Sequence, residues 1–368
     1  MSTGTEPETR QASAEQRALE AALPSVAKKV GELPSWAPWG ILAAAVVVVG
    51  GGLLLVGRGI GLAVVTTAVV YALVVYLTSR VVEGPRKATD RLVTVLVTTA
   101  FLIAMVPLVS VIATVLANGI ARFDAQFFSN SMRGVVGEGG GGYHAILGTL
   151  IITALAALMS IPVGLLTAVY LVEYGRGKLS RAITFFVDVM TGIPSIVAGL
   201  FAFALFALFF GPGVRMGFMG SLALCVLMIP VVVRSTEEML KIVPNELREA
   251  AYALGVPKWR TIVKVVLPTS VAGIASGVTL AIARVIGETA PLLIAVGITT
   301  GVNLNPFDGR MATLPVFSYY SYVAPGVPRE PFIDRAWTAA LVLIILVMVL
   351  NLAARLIARL FAPKTAGR

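Results

Sequence analysis

Residues 249–268 read EAAYALGVPKWRTIVKVVLP, and this stretch predicts two short helices joined at a glycine, placed between two long apolar runs. The first helix carries a narrow stripe of small and apolar side chains at helical spacing, formed by Leu247, Ala250, Ala251 and Leu254. Gly255 can end that helix at little steric cost, and Pro257 can open the next one. A loop of this kind between membrane spans indicates a membrane protein that is driven by a separate motor protein, which binds the loop from one side of the membrane.

The composition indicates a protein that crosses the membrane several times. Of 368 residues, 57% are hydrophobic and only 13% are charged, which excludes a soluble globular domain. The net charge of +10 comes from basic residues scattered over loops, without the combined aromatic and basic surface that nucleic-acid binding requires. The only cysteine, Cys225, lies in an apolar run, and the only histidine, His144, borders a span. We therefore expect neither a disulfide framework nor a metal site.

Eight apolar runs are long enough to cross a bilayer, which takes about 20 helical residues. They cover residues 39–57, 60–78, 92–117, 145–172, 190–210, 217–233, 269–297 and 336–358. We expect an all-α, polytopic inner-membrane protein in which the first two runs form a hairpin in front of a six-span core. The run 269–297 is long enough to be tilted, or broken at Pro291.

The distribution of Lys and Arg predicts the orientation of these spans. With the N-terminus inside, 21 of the 29 basic residues fall in cytoplasmic segments and seven on the opposite face, while Arg284 lies within a span. We expect both termini in the cytoplasm, as polar tails at residues 1–36 and 361–368. The extra hairpin and its linker then occupy 37–90, and the six-span core occupies 91–360 with a cytoplasmic loop at 234–268.

The sharpest chemical signal inside the membrane is the segment 284–291, RVIGETAP. A charged side chain at the bilayer centre costs about 2.5–3.5 kcal/mol on insertion scales, so such residues usually face a cavity or a partner. The spacing places Arg284 and Glu288 one turn apart on one helix face, and a guanidinium suits a phosphate or sulfate oxyanion. Thr289 could add a hydrogen bond. The alternative is a buried ion pair that only fixes helix packing.

A second candidate for the pathway is the segment 192–196, GIPSI, at the cytoplasmic end of a span. Pro194 breaks the helix and, with Ser195, exposes polar groups that could line a pathway. A plain kink that serves packing is equally compatible with these residues. On the opposite face, the run of four glycines at 139–142 lacks the ending of a phosphate-binding loop, so we interpret it as a flexible hinge.

The loop described first resembles the EAA loop of bacterial ABC importer permeases. Six residues match the family motif at its spacing, while Val265 stands where the family usually has Ile; the matching residues are Glu249, Ala250, Ala251, Gly255, Leu267 and Pro268. The resemblance implies that the first helix of the loop docks in a groove on an ATPase subunit. The coupling residues would then be Leu247, Glu249, Ala250, Ala251, Leu254 and Gly255.

Further stretches resemble the PstA-type permease subunits of bacterial phosphate importers. They are GIPSIVAGLF at 192–201, the stretch 229–259, ARVIGETAPLL at 283–293 and MATLPV at 311–316. The resemblance covers roughly residues 90–360 and implies the six-span type I importer fold. It also implies that Arg284 lies on the phosphate path. The hairpin at 39–78 has no counterpart in the compact family core.

The resemblance further implies a set of partners. These are a sister permease, two copies of the ATPase and an extracytoplasmic phosphate-binding protein, with inorganic phosphate as substrate in a membrane of lipid. ATP and Mg would bind to the ATPase, because this chain has no P-loop and we expect it to hold no cofactor and to be no enzyme. Alternatives are a permease for sulfate, molybdate or phosphonate, and an ion-coupled secondary carrier. A signalling role could coexist with transport.

Overall fold

The computed structural model describes residues 31–361, and every regular element in that range is helical, which confirms the all-α prediction. One break between helices, at residues 286–289, and one bend, at residues 192–194, determine where the candidate site lies. The helices are α1 (Ala37–Leu55), α2 (Ile60–Val82), α3 (Pro85–Gly119), α4 (Ala125–Ser129), α5 (Tyr143–Tyr174), α6 (Gly177–Thr191), α7 (Ser195–Phe210), α8 (Gly217–Ile242), α9 (Asn245–Ala253), α10 (Lys258–Val285), α11 (Ala290–Ala295), α12 (Leu314–Val323) and α13 (Glu330–Phe361).

Seven of the described helices are long and apolar enough to cross a membrane. The count reaches the predicted eight only if α6 and α7, which meet at a bend of 108°, form one span. The run 190–210 is therefore wrong as a straight span. Its helical part begins at Ser195 and has 16 residues, because Gly192–Pro194 interrupt the helix. Sixteen residues are fewer than the roughly 20 that a span needs.

The chain divides into two compact units, residues 1–111 and 112–368. In the first unit, α1 contains a π-helical stretch at Val46–Gly51, and α1, α2 and α3 line an apolar groove of about 790 Å³. The corner between α2 and α3 is held by the buried carboxylate of Glu83, which accepts both ends of the Arg91 fork at 2.7 and 2.8 Å. The Arg91 bonds, with others from Ser79 and the Leu33 amide, lower the pKa of Glu83 to about 2.

In the second unit, α8 is the central helix. In an apolar stretch of 18 residues within α8, 61% of the residues are buried, against 39% in the corresponding stretch of α5 and 28% in that of α10. Glycines allow this close packing, since an added Cβ at Gly164 of α5 would lie 2.6 Å from Val232 of α8. Gly220 of α8 likewise meets Val296, just after α11, where a Cβ would lie at 2.2 Å. These two glycines therefore lie where helices touch.

The glycine run at 139–142 is hydrogen-bonded and packed, so the prediction of a flexible hinge is wrong. Arg335 of α13 is fully buried, and its Nη1 donates to the carbonyls of Gly137 and Gly139 at 2.8 and 2.7 Å. A Cβ at Gly142 would lie 2.5 Å from the ring of Phe127. Glycine is required here for close approach and for carbonyls that can point at a guanidinium.

Candidate functional site

The long helix α10 ends inside the apolar run that the sequence predicts as one span. Its last residue is Val285, the amide of Ile286 still bonds to Ile282 at 3.0 Å, and the chain becomes helical again only at Ala290. The break therefore lies at residues 286–289 and not at Pro291. Proline is tolerated in the first turn of a helix, where its missing N–H would have no partner, so Pro291 begins α11 instead of ending α10.

The predicted face that Arg284 and Glu288 share is also wrong, because the helix ends between them. Arg284 is exposed in the last turn of α10, and Glu288 is half-buried within the break. Neither side chain forms a hydrogen bond or an ion pair with any residue between 31 and 361. The alternative of a buried ion pair that fixes helix packing therefore fails as well. What remains, within the part of the chain that the structure describes, is a guanidinium without a partner at the end of a membrane helix.

The break borders a cavity of about 580 Å³. Gly287 and Thr289 contribute one wall, Ile196 of α7 another, and Ser318 and Tyr319 of α12 a third. Thr289 therefore borders an open volume, and its role on a substrate pathway stays a prediction. Four other predicted pathway residues, namely Arg284, Glu288, Pro194 and Ser195, do not line this cavity.

The bend at Pro194 and the break before Pro291 are in direct contact. Ser195 is the first residue of α7, and one turn later Gly199 lies against α11. A Cβ at Gly199 would come within 2.6 Å of the Pro291 Cα and 2.8 Å of its carbonyl oxygen. The two interrupted segments, which are almost 100 residues apart in the sequence, therefore form one structural unit. A packing role for Gly199 is evident, and Ser195 remains half-buried beside it.

The EAA loop folds as its turn residues predict. Helix α9 begins after Pro244 and ends at Ala253, Gly255 takes a left-handed backbone with φ of +74°, and Pro257 precedes α10. Of the predicted coupling residues, only Ala251 is buried. The others are exposed, namely Leu247, Glu249, Ala250, Leu254 and Gly255. Leu254, at the turn between the two helices of the loop, is 83% exposed.

Sequence reasoning missed the residues that anchor this loop. Arg248 and Lys258 both reach the end of α5, where they contact Glu173. At the start of the loop, Arg234 bonds to both Asp188 and Glu237. One signal could have indicated Glu173, since it is the only acidic residue between Tyr143 and Arg176. Its distant partners could not be read from spacing.

Comparisons with known proteins agree with these features. The family model of the binding-protein-dependent transport system inner membrane component matches residues 160–367. The chain is 50% identical over 278 residues to the phosphate transport system permease protein PstA of Mycobacterium leprae, a match that covers 74% of this chain and 90% of that protein. It is 36% identical over 274 residues to PstA of Pasteurella multocida, covering 74% and 95% of the two chains.

The chain resembles solved structures in fold, and one of them illustrates the likeness. It is a chain of the crystal structure of a bacterial alginate ABC transporter in complex with an alginate pentasaccharide-bound periplasmic protein. The TM-score is 0.52 at 14% identity, and the match covers 75% of this chain and 96% of that one. At this identity the likeness concerns the arrangement of helices alone.

Proposed function

This chain belongs to the PstA family of phosphate transport permeases and to the wider family of binding-protein-dependent transport system inner membrane components, and on that premise we propose that it forms one half of the translocation pathway of an ATP-driven importer of inorganic phosphate. It is a multi-pass membrane protein. The observation that carries the proposal is Arg284, an exposed guanidinium without a partner among the described residues, in a broken membrane helix. A charge in that place needs an aqueous path or a partner subunit.

The chemistry of Arg284 suits an oxyanion. A guanidinium offers a planar fork of N–H donors that matches two oxygens of one phosphate. Glu288 lies in the break close by in sequence and is not paired with Arg284, so it is available to repel the anion and promote its release. Thr289 faces the cavity and can donate a hydroxyl hydrogen bond there. Pro194 and Ser195 complete the proposed pathway set through the contact of α7 with α11.

We assign the partners by the surfaces that remain exposed. The EAA loop with Leu254 at its tip faces an ATPase subunit, which binds ATP and Mg, and two copies of it serve the complex. A sister permease covers the face of the broken span, so the pathway is a heterodimer. An extracytoplasmic phosphate-binding protein delivers the anion. Both termini lie in the cytoplasm, as the charge bias predicts.

Uptake by reconstituted vesicles tests the proposal. The vesicles contain this chain with its sister permease, the ATPase and the binding protein, and labelled phosphate is supplied with or without internal ATP and with excess sulfate. We expect ATP-dependent uptake that sulfate does not reduce. Full competition by sulfate, molybdate or phosphonate would reassign the substrate. Uptake that follows a proton gradient and ignores ATP would overturn the assignment and leave an ion-coupled carrier.

A further inference from the structure

We propose that Arg248 and Glu173 form the joint through which the EAA loop moves the membrane helices, so that Arg248 is a positioning residue for coupling. This inference rests on the proposed function and adds residues outside the family motif. It starts from an arginine that is fully occupied within the chain, on a helix whose other face is exposed.

The guanidinium of Arg248 bonds to three different elements. Its Nε and Nη2 donate to Oε1 of Glu173 at 3.1 and 2.9 Å, at the end of α5. Its Nη2 and Nη1 donate to the carbonyls of Leu240 and Val243 at 3.0 and 2.6 Å, at the end of α8. A last bond of 3.3 Å reaches Oδ1 of Asn245 at the start of α9. One side chain therefore ties the EAA loop to two membrane helices.

Burial makes this joint stiff. Only 12% of the Arg248 side chain and 5% of the Glu173 side chain are exposed, so water does not compete well for their bonds. The fork of a guanidinium fixes direction as well as distance, since its donors lie in one plane. Behind it, Leu240 and Val243 pack in an apolar cluster with Leu171 of α5. A displacement of α9 therefore has to move the ends of α5 and α8.

The second half of the EAA loop also contacts the end of α5, at Glu173. The ammonium of Lys258, at the start of α10, donates to the backbone carbonyl of Glu173 and lies 4.8 Å from the centre of the Tyr174 ring. Residues 170–174 and 262–266 on the two sides of this contact are π-helical. Stretches of this kind occur frequently at functional sites. Both halves of the EAA loop thus converge on one residue of α5.

The two helices that the joint holds also reach the break. Gly220 of α8 packs against Val296 and Leu292, which lie on the far side of residues 286–289. Thr149 of α5 accepts the amide of Leu314, at the start of the helix that lines the cavity, at 2.8 Å. Motion at Glu173 therefore has continuous packed routes to the cavity. Such continuity gives a reason to expect coupling, and the coupling itself has to be measured.

The experiment measures phosphate taken up per ATP hydrolysed in vesicles that contain the whole complex. We compare Arg248→Ala, Glu173→Ala and the double variant with the wild type. Each single variant should lower the ratio on the order of tenfold, the effect of about 1.4 kcal/mol of lost coupling, while ATP hydrolysis continues. The double variant should be no worse than either single one, since the two residues act as one unit.

The matched control is Lys241→Ala. Lys241 forms a 2.7 Å ion pair with Glu237 near the same end of α8, its own side chain is 62% exposed, and it makes none of the Arg248 or Lys258 bonds described above. It should leave the ratio unchanged, because a solvated ammonium contributes little and the carboxylate of Glu237, only 11% exposed, keeps its bond to Arg234. Single variants with an unchanged ratio, or with uptake and hydrolysis reduced in proportion, would overturn the inference. A wild type that takes up no phosphate would overturn the proposed function instead.

A second measurement covers the case in which Arg248→Ala does not assemble. In a Cys225→Ser background, Glu173→Cys and Arg248→Cys are bridged by a short bis-thiosulfonate reagent, which forms disulfides that reduction can cleave. Because both native side chains are gone, the unbridged variant should show the lowered ratio of phosphate to ATP, and the bridge should restore the ratio until it is reduced. A bridged variant whose ratio stays low, or falls further, would show that a fixed link between α9 and α5 does not couple them, and the inference would be wrong.

Discussion

Arg248 and Arg284 carry the same side chain, and the structure treats them in opposite ways. Arg248 makes five hydrogen bonds at the base of the EAA loop, and Arg284 makes none with the described residues although it lies in a membrane helix. Burying a charge costs free energy unless hydrogen bonds or a partner compensate it, and a charge within a membrane span usually faces water, a ligand or a partner. The contrast separates an arginine that holds the architecture from one available to a passing anion.

The largest effect is expected from Arg284→Ala. It should reduce phosphate uptake on the order of a hundredfold, because a charge-assisted fork of two hydrogen bonds is lost. The complex should still assemble, since the side chain makes no bond within the described chain. Phosphate uptake by Arg284→Lys, which keeps the charge without the fork of donors, should lie between that of the wild type and that of Arg284→Ala. Near-normal uptake by an assembled Arg284→Ala complex would show that phosphate transport does not need Arg284, and the contrast with Arg248 would not hold.

The substitution Gly255→Val changes the EAA loop and leaves Arg248 and Arg284 in place. A left-handed backbone costs a residue with a Cβ roughly 1–2 kcal/mol, so the end of α9 and the exposed Leu254 should shift. We expect stimulation of ATP hydrolysis by substrate to fall severalfold. Gly255→Asn is the control, because asparagine tolerates this conformation. Equal stimulation in both variants and the wild type would argue against docking through this turn.

Gly199→Val tests whether the contact between the bend at Pro194 and the break before Pro291 stabilises the protein. The new side chain would overlap the backbone of Pro291, and overpacking of this kind costs about 1–3 kcal/mol. The melting temperature of the purified protein should fall by several degrees. Gly192→Ala is the control, since the nearest atom to its Cβ, the Val189 carbonyl oxygen, would lie 3.6 Å away. A fall of the same size in both would show that the Pro291 contact is not special.

The smallest effect is expected for the ion pair of Glu83 with Arg91 in the first compact unit, where Arg91 donates hydrogen bonds to both carboxylate oxygens of Glu83. Its folded pKa of about 2 lies below the ordinary 4.5, so the folded state holds fewer protons than the unfolded state between these values. The stabilisation is present above pH 4.5 and is lost as the pH falls toward 2. Thermal unfolding at pH 5 and pH 3 should show a larger drop for the wild type than for Glu83→Gln. Parallel drops would contradict the assignment.

Local turn chemistry was readable from the sequence, and long-range contacts were not. Pro244, Gly255 and Pro257 predict the EAA loop correctly because each constrains its own backbone. The predicted break at Pro291 was wrong because a proline can begin a helix as well as end one. The helix ends earlier, at Val285, so the predicted common face of Arg284 and Glu288 was wrong as well. Arg248 was missed because its partner, Glu173, lies 75 residues earlier. The roles of the predicted pathway and coupling residues stay predictions.

The buried guanidinium of Arg335 has a consequence for how the protein is made. Its carbonyl partner at Gly137 leaves the ribosome 198 residues earlier, so the receiving loop is already synthesised when the last helix arrives. Until that loop closes over it, the start of α13 carries a charge without these hydrogen bonds. We expect the final helix to settle last during biogenesis. Chains truncated before residue 335 should hold the glycine loop only through the Arg122 bonds to the carbonyls of Gly139 and Gly140, and should be more open to quality-control proteases.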